Sequence, residues 1–116
     1  MALFLGNAFS LGMISPGPQG LTLRVRQLSL EEVKDLLKEE SFTSAVGHQA
    51  TAEVLTLLTG TPIPVNRIAV SLSLGDRLIV FQLRVRLEEG RILTAEEVQA
   101  MHEQGLTSFY LVEVVG

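Results

Sequence analysis

The sequence contains no cysteine and no tryptophan, and only two histidines, His48 and His102. Without cysteine, disulfide bonds and thiolate metal sites are excluded. Two histidines so far apart in the chain do not suggest a structural zinc site, and the sequence predicts neither a metal nor a cofactor. Acid–base chemistry by an imidazole would therefore depend on one of these two residues.

Positive charge is also in short supply, and the formal net charge is −4. Proteins that bind duplex DNA in general usually carry a basic face, so this charge argues against that class. Seven of the nine basic residues are arginine, and five of them fall within 25 residues: Arg67, Arg77, Arg84, Arg86 and Arg91. Arginine recognises phosphate through planar, bidentate hydrogen bonds. The cluster therefore suits a small anionic ligand, although the solvent-exposed face of strands is the other interpretation.

Long apolar runs are absent as well. None approaches the ~20 residues of a membrane-spanning helix. A signal peptide carries Lys or Arg before its apolar stretch, and the apolar N-terminal stretch of this sequence has none before it. A chain of 116 residues that is 47% hydrophobic is long enough to bury one core. We expect a single domain over residues 1–116, located in the cytoplasm.

The apolar patterning predicts an α/β fold, with a single mixed β-sheet and helices packed on it. In the segment 21–28, Leu21, Leu23 and Val25 alternate with Thr22, Arg24 and Arg26, which is typical of a half-exposed strand. Leu74 and Gly75 separate two apolar segments and predict a tight β-hairpin, whereas 41–46 reads as a connector. The predicted strands are 2–6, 21–28, 66–73, 76–87 and 107–115.

Three helices are predicted from their start and stop signals. Ser29 with Glu32, and Thr94 with Glu97, form capping-box patterns that open two surface helices. The third helix runs from about 47 to 58 and is stopped by the sequence GTPIP.

His48 stands at the start of that third helix, directly after Gly47. Glycine allows the backbone to approach a ligand closely or to turn sharply. The free amides and positive dipole end of a helix N-terminus attract phosphate, and an imidazole there can protonate a departing alkoxide. A purely structural histidine fits the position too. His102 is placed in a last helical turn, where it suits the helix dipole.

The sequence resembles the viral anti-CRISPR ring nuclease family along nearly its whole length. The segments GNAFSLGM, AVGHQAT followed by LLTGT, NRIAV, RLEEGRILTAEEV and GLTSFYLVEV occur in the order and spacing of that family. The resemblance implies a homodimer that binds cyclic tetra-adenylate at the subunit interface and cleaves it without metal. A ribose 2′-hydroxyl attacks the adjacent phosphorus and a histidine protonates the 5′-oxygen, which yields linear di-adenylate.

The same resemblance implies roles for individual residues. His48 corresponds to the general acid, Arg86 to a stabiliser of phosphoryl charge and Glu89 to a residue that orients or reprotonates His48. The implied ligand-binding positions are Asn7, Ser10, Gly47, Arg67 and Gln82. The chain departs from the usual motifs at Gly12, Gln49, Ala50 and Arg84, which affects the expected affinity and ring-size preference more than the chemistry.

Two other functions are open on the sequence. The same dimer would serve as a module that sequesters a cyclic oligoadenylate or another nucleotide without cutting it. Alternatively, the dimer groove would bind nucleic acid, which the net charge and the absence of lysine clusters disfavour. No stable nucleic-acid partner and no membrane are therefore expected.

Overall fold

The computed structural model describes residues 1–14, 20–86 and 93–116. The strands are β1 (Leu3–Gly6), β2 (Leu23–Leu28), β3 (Thr43–Ala45), β4 (Arg77–Leu83) and β5 (Thr107–Val114). The helices are α1 (Leu30–Glu39), α2 (Gln49–Thr59) and α3 (Ala95–Glu103), with a 3-10 helix at Leu11–Met13. No helix in the described ranges is long and apolar enough to cross a membrane.

The strands of the described ranges form one mixed sheet in the order β2-β5-β4-β1-β3. β1 pairs in parallel with both β3 and β4, whereas β5 is antiparallel to both β2 and β4. Four strands therefore run in one direction and β5 runs against them. The α/β fold with a single mixed sheet and helices packed on it is confirmed.

The sheet buries an apolar layer on each face. On one face, Leu5, Ile79 and Phe81 join a cluster with helical residues such as Val33 and Leu55. Phe81 also meets Phe109 of β5, with ring centroids 5.1 Å apart. On the opposite face, buried residues of the sheet cluster with two residues of the loop between α2 and β4; this set is Leu78, Val112, Val114, Val70 and Leu72. Each fully buried side chain of this size contributes roughly 1.5–3 kcal/mol.

The predicted hairpin between 66–73 and 76–87 is wrong. β4 has β1 and β5 as its neighbours, and the preceding segment packs through Val70 and Leu72 onto the face of the sheet. The turn itself exists, because the amide of Asp76 donates to the carbonyl oxygen of Ser73 (2.9 Å) and Gly75 adopts a φ of 88°. Alternation in a sequence signals half-burial but does not identify the partner that covers the apolar side.

Two boundaries also differ from the sequence prediction. The connector 41–46 contains β3, which at three residues is too short to show a period of two. α2 begins at Gln49 rather than at Gly47, and His48 is its N-cap residue. The capping boxes of α1 and α3 are confirmed, with Ser29 and Thr94 each accepting from the amide three residues later.

Candidate functional site

The candidate site lies where three parallel strands end. Gly6, the last residue of β1, pairs with Ala45 of β3 on one side and Val80 of β4 on the other. The carboxyl ends of these strands therefore share one edge of the sheet, the place where ligands bind in open α/β sheets. Asn7 follows β1 there, Gly47 and His48 follow β3, and Arg86 lies beyond the end of β4.

A set of hydrogen bonds holds the loop 64–67 against β3. The Ser44 hydroxyl donates to the carbonyl oxygen of Pro64 (2.7 Å), and the Asn66 side-chain amide donates to the carbonyl oxygen of Ser44 (2.7 Å). The backbone amide of Asn66 donates to the carbonyl oxygen of Val46, at 2.8 Å. These bonds fix the position of the next residue, Arg67.

Arg67 lies over the backbone of Gly47. Its Nε donates to the Gly47 carbonyl oxygen at 2.7 Å. A Cβ atom at position 47 would stand 3.2 Å from Cγ of Arg67, which is tighter than ordinary van der Waals contact. Glycine therefore permits the arginine to approach, and the structure brings the predicted residues Gly47, His48 and Arg67 together.

His48 is the N-cap residue of α2, but its imidazole does not cap the helix. Its backbone is extended (φ −123°, ψ 131°), its side chain makes no cap hydrogen bond, and no acidic residue stands in the first turn of α2. By contrast, α1 and α3 each have a complete capping box and two glutamates in the first turn. The start of α2 therefore keeps an unneutralised positive dipole end and amides without a side-chain cap, which favour an anion.

Arg86 faces this helix start across a cavity of about 380 Å³ between α2 and α3. Ala50 and Glu53 of α2 line the cavity together with Arg86, and α3 forms the opposite wall. Ala50 lies in the first turn of α2, so the cavity borders the start of this helix, and His48 is not among the residues that line it. The structure thus places a second predicted arginine next to the start of α2.

The remaining predicted residues are less closely associated with this point. Asn7 is half-buried after β1, and Ser10 is exposed before the 3-10 helix, where its side chain makes no cap hydrogen bond. Gln82 lies on the face of the sheet opposite the helices, because Phe81 and Leu83 on either side of it face the helical layer. Gln82 accepts a long hydrogen bond from Ser108 (3.4 Å) instead of lining the cavity. Glu89 lies outside the described residues.

The arginine cluster seen in the sequence is divided by the fold. Arg77 is at the amino end of β4, away from the candidate site, and pairs with Glu40 at the end of α1. Hydrogen bonds from the Arg77 guanidinium hold the pKa of Glu40 below its usual range, and the same bonds raise the pKa of Arg77. Arg77 is therefore a structural residue, whereas Arg67 and Arg86 remain at the site.

Sequence reasoning missed Asn66, Glu53 and Gln104. Asn66 was visible as the first letter of the NR pair, but only the structure shows that it anchors the loop to β3. Glu53 and Gln104 sit on two different helices and line the same cavity, so no local pattern links them. In the described ranges no group of three His, Asp or Glu side chains is placed to hold a metal ion.

Comparison with known proteins identifies relatives over almost the full chain. A family model described as STIV B116-like matches residues 3–109. Uncharacterized protein 26 of Sulfolobus islandicus filamentous virus is 41% identical over 114 residues, covering 97% of this chain and 92% of the relative. Uncharacterized protein ORF117 of Acidianus two-tailed virus is 38% identical over 93 residues, covering 78% and 77%. The solved structure of B116 of Sulfolobus turreted icosahedral virus superposes with a TM-score of 0.85 at 32% identity, covering 97% of this chain and 99% of that chain.

These findings correct the family predicted from the short motifs. The motif residues Gly47 and Asn66 have structural roles. Gly47 leaves room for Arg67, and Asn66 hydrogen-bonds the loop 64–67 to β3. Such residues recur for packing reasons and do not by themselves identify a nuclease family. The match over residues 3–109 shows that the ring nuclease identification is wrong and that the chain belongs to the STIV B116-like family.

Proposed function

We propose that this protein is a metal-independent phosphodiesterase that opens cyclic tetra-adenylate to linear di-adenylate, with His48 as the general acid. The observation that carries the proposal is the start of α2, where His48 makes no cap hydrogen bond, Arg67 donates to the carbonyl oxygen of Gly47, and Arg86 lines the cavity that borders Ala50. Exposed imidazole, helix amides and guanidinium groups are the groups that phosphoryl transfer needs near one point.

The substrate supplies its own nucleophile. The ribose 2′-hydroxyl loses its proton to solvent water as its oxygen forms a bond to phosphorus. The bond from phosphorus to the 5′-oxygen breaks in the same step, and His48 donates its proton to the departing 5′-oxygen. One end of the product is then a 2′,3′-cyclic phosphate. A positioned general acid contributes roughly 10²–10⁴-fold to such a step.

Charge on the phosphoryl oxygens is met by Arg86 and by the free amides at the start of α2. The amides are held in place by the helix before the reaction, so they stabilise the transition state without reorganising. Arg67 holds the backbone of Gly47 and offers its remaining N–H groups to a second phosphate. Glu89 is proposed to return a proton to His48 between turnovers.

A second copy of the chain is part of the proposal. A ring with two-fold symmetry matches an isologous dimer, in which each subunit contributes one His48 and one set of arginines. Pairing the subunits also doubles the local positive charge, which reconciles a net charge of −4 with a ligand that carries four phosphates. Acting in the cytoplasm, such an enzyme would switch off type III CRISPR second-messenger signalling, and the viral sources of the relatives favour an anti-CRISPR role.

The test is a single-turnover assay with labelled cyclic tetra-adenylate, excess protein and EDTA. We expect wild type to form di-adenylate, and His48→Ala to lose roughly 10²–10⁴-fold in rate while still binding the ring. His102→Ala is the matched control, because that histidine lies at the far end of α3 and bonds to Thr107 (Nδ1 to Oγ1, 2.8 Å).

Four results would contradict the proposal. Equal rates for wild type and His48→Ala would remove His48 from the chemistry, and a metal requirement would exclude the mechanism. Tight ring binding without cleavage by either protein would make this a sequestering module. Strongly salt-dependent DNA binding that the ring does not compete with would favour a nucleic-acid-binding dimer instead.

A further inference from the structure

The two edges of the sheet are finished differently. At one edge β3 is covered by the loop 64–67, because the backbone amide of Asn66 donates to Val46 and its side-chain amide donates to Ser44. At the other edge lies β2, and within the described ranges no strand pairs with its outer side. β2 has six residues, and the four in its middle are exposed. Such a strand presents backbone groups with which an extended chain can pair.

The outer backbone groups of β2 follow from its pairing with β5. The amide and the carbonyl oxygen of Thr22, just before β2, both bond to residues that directly follow β5. Because hydrogen bonding alternates along an antiparallel strand, the same groups of Arg24 and Arg26 also face β5. The outward N–H and C=O groups belong to Leu23, Val25 and Gln27.

The side chains of this edge differ between its two faces. Val25 is 58% exposed and shares with Leu23 the face opposite the helices. Arg24 and Arg26 share with Leu28 the helical face, and both arginines are exposed. Since side chains alternate across a strand, a strand added here would place one set of residues beside Val25 and the other set beside the arginines.

Both arginines have room for a further carboxylate. Arg24 stands opposite Glu113 of β5, and Nη1 of Arg26 lies 3.0 Å from a carboxylate oxygen of Glu32. A guanidinium carries five N–H groups, so one carboxylate does not saturate it. The side chains of the Arg26–Glu32 pair are about half exposed, and such surface pairs are weak enough to share with a second acid.

A second copy of β2 does not complement this edge. In the two-fold antiparallel register centred on Val25, Arg24 of one copy stands directly opposite Arg26 of the other copy. Like charges in that position are destabilising. An acidic partner meets the same two positions with the opposite charge.

We infer that the outer edge of β2 is a docking surface for an extended peptide that alternates apolar and acidic residues. The peptide adds a sixth strand to the sheet. Hydrogen bonds to the outward backbone groups supply affinity, and carboxylates beside Arg24 and Arg26 supply specificity. The surface goes beyond the chemistry proposed at His48, which follows β3 at the opposite edge of the sheet.

Fluorescence anisotropy with a labelled synthetic peptide tests the inference. The probe has seven residues in which valine alternates with glutamate, and its control has lysine in place of glutamate. We expect the glutamate peptide to bind at least about 10-fold more tightly at low salt, and the difference to shrink at about 1 M salt. Replacing both arginines, by Arg24→Gln and Arg26→Gln, should remove most of the preference.

A proline variant tests the location. Val25→Pro removes an outward N–H group that a paired peptide needs, and proline is tolerated in an edge strand whose N–H faces solvent. We expect peptide binding at least about 10-fold weaker with an unchanged circular dichroism spectrum. Val25→Thr is the matched control, because threonine keeps the amide and the β-branched shape, and it should bind like wild type.

Hydrogen exchange of the ¹⁵N-labelled protein gives an independent readout. The outward amides of Leu23, Val25 and Gln27 should exchange quickly in the free protein and slowly with the glutamate peptide bound. Slow exchange without peptide would show that a second copy or another segment already covers the edge, and the inference would be wrong. Equal binding of the two peptides, or binding that Val25→Pro leaves intact, would overturn it too. None of these results bears on cleavage at His48, which has its own assay.

Discussion

At Gly47 a single missing side chain decides where an arginine lies. Because a Cβ there would come within 3.2 Å of Cγ of Arg67, Gly47→Ala should push the arginine away from the start of α2. We expect a loss of stability of about 1 kcal/mol from the crowding and weaker binding of a phosphate ligand. Urea denaturation and ligand titration measure the two effects.

A double-mutant cycle isolates the contact from other effects of the alanine. In an Arg67→Ala background the steric conflict is gone, and Gly47→Ala should be neutral or stabilise by up to about 1 kcal/mol through the unfolded chain. The same loss of stability in both backgrounds would show that Arg67 is not the neighbour that requires glycine.

Asp76 makes stability depend on pH. The backbone amide of Ala2, and then that of Ser73, hold the pKa of Asp76 below its usual value of 3.8. Since the folded-state pKa lies below the unfolded one, the stabilisation is complete above about pH 4 and is lost as the pH falls through the folded value. Asp76→Asn should therefore cost about 1 kcal/mol at pH 7, and the difference from wild type should shrink near pH 2.

Denaturation at the two pH values checks this expectation. Asp35→Asn is the matched control, because Asp35 is exposed on α1 and its replacement should change stability by less than about 0.5 kcal/mol. A difference between Asp76→Asn and wild type that is the same at pH 2 and pH 7 would refute the electrostatic origin.

Among the three helices, α2 lacks the stabilising side-chain cap that α1 and α3 have at their N-termini. His48→Asp supplies the missing cap, so we expect it to stabilise the protein by about 1 kcal/mol and to abolish the proposed cleavage. His48→Ala should change stability little, whereas Ser29→Ala, which removes the cap of α1, should cost about 1 kcal/mol. Thermal and urea denaturation of the three variants decide this. A loss for His48→Ala as large as that for Ser29→Ala would mean that the imidazole already stabilises the helix.

Helix caps can be predicted from this sequence, whereas strand pairing cannot. Capping boxes are local, with every partner within three residues, so α1 and α3 were predicted with their caps. The pairing of β4 and the existence of β3 depend on residues distant in the chain, and alternation alone does not identify them. The candidate site was predicted in part for the same reason. The Gly47–His48 step is visible locally, but its proximity to Arg67 depends on the Ser44–Asn66 hydrogen bond.

For the whole molecule, the proposal requires two chains. Light scattering at micromolar concentration should give a mass of twice 12.6 kDa, and titration should saturate at one ring per two chains. Both values follow from a two-fold ligand at a shared interface. A mass of 12.6 kDa together with full cleavage activity would contradict the dimer and leave the chemistry in place.

The position of β5 between β2 and β4 sets an order of events during synthesis. Arg24 pairs with Glu113, so β2 emerges from the ribosome long before the strand that will cover its edge. Until then both edges of β2 can pair with another chain, and in the folded sheet one of them stays open. Arg24 and Arg26 place two positive charges on β2 before it is paired. Repulsion between such charges on different nascent chains opposes their aggregation.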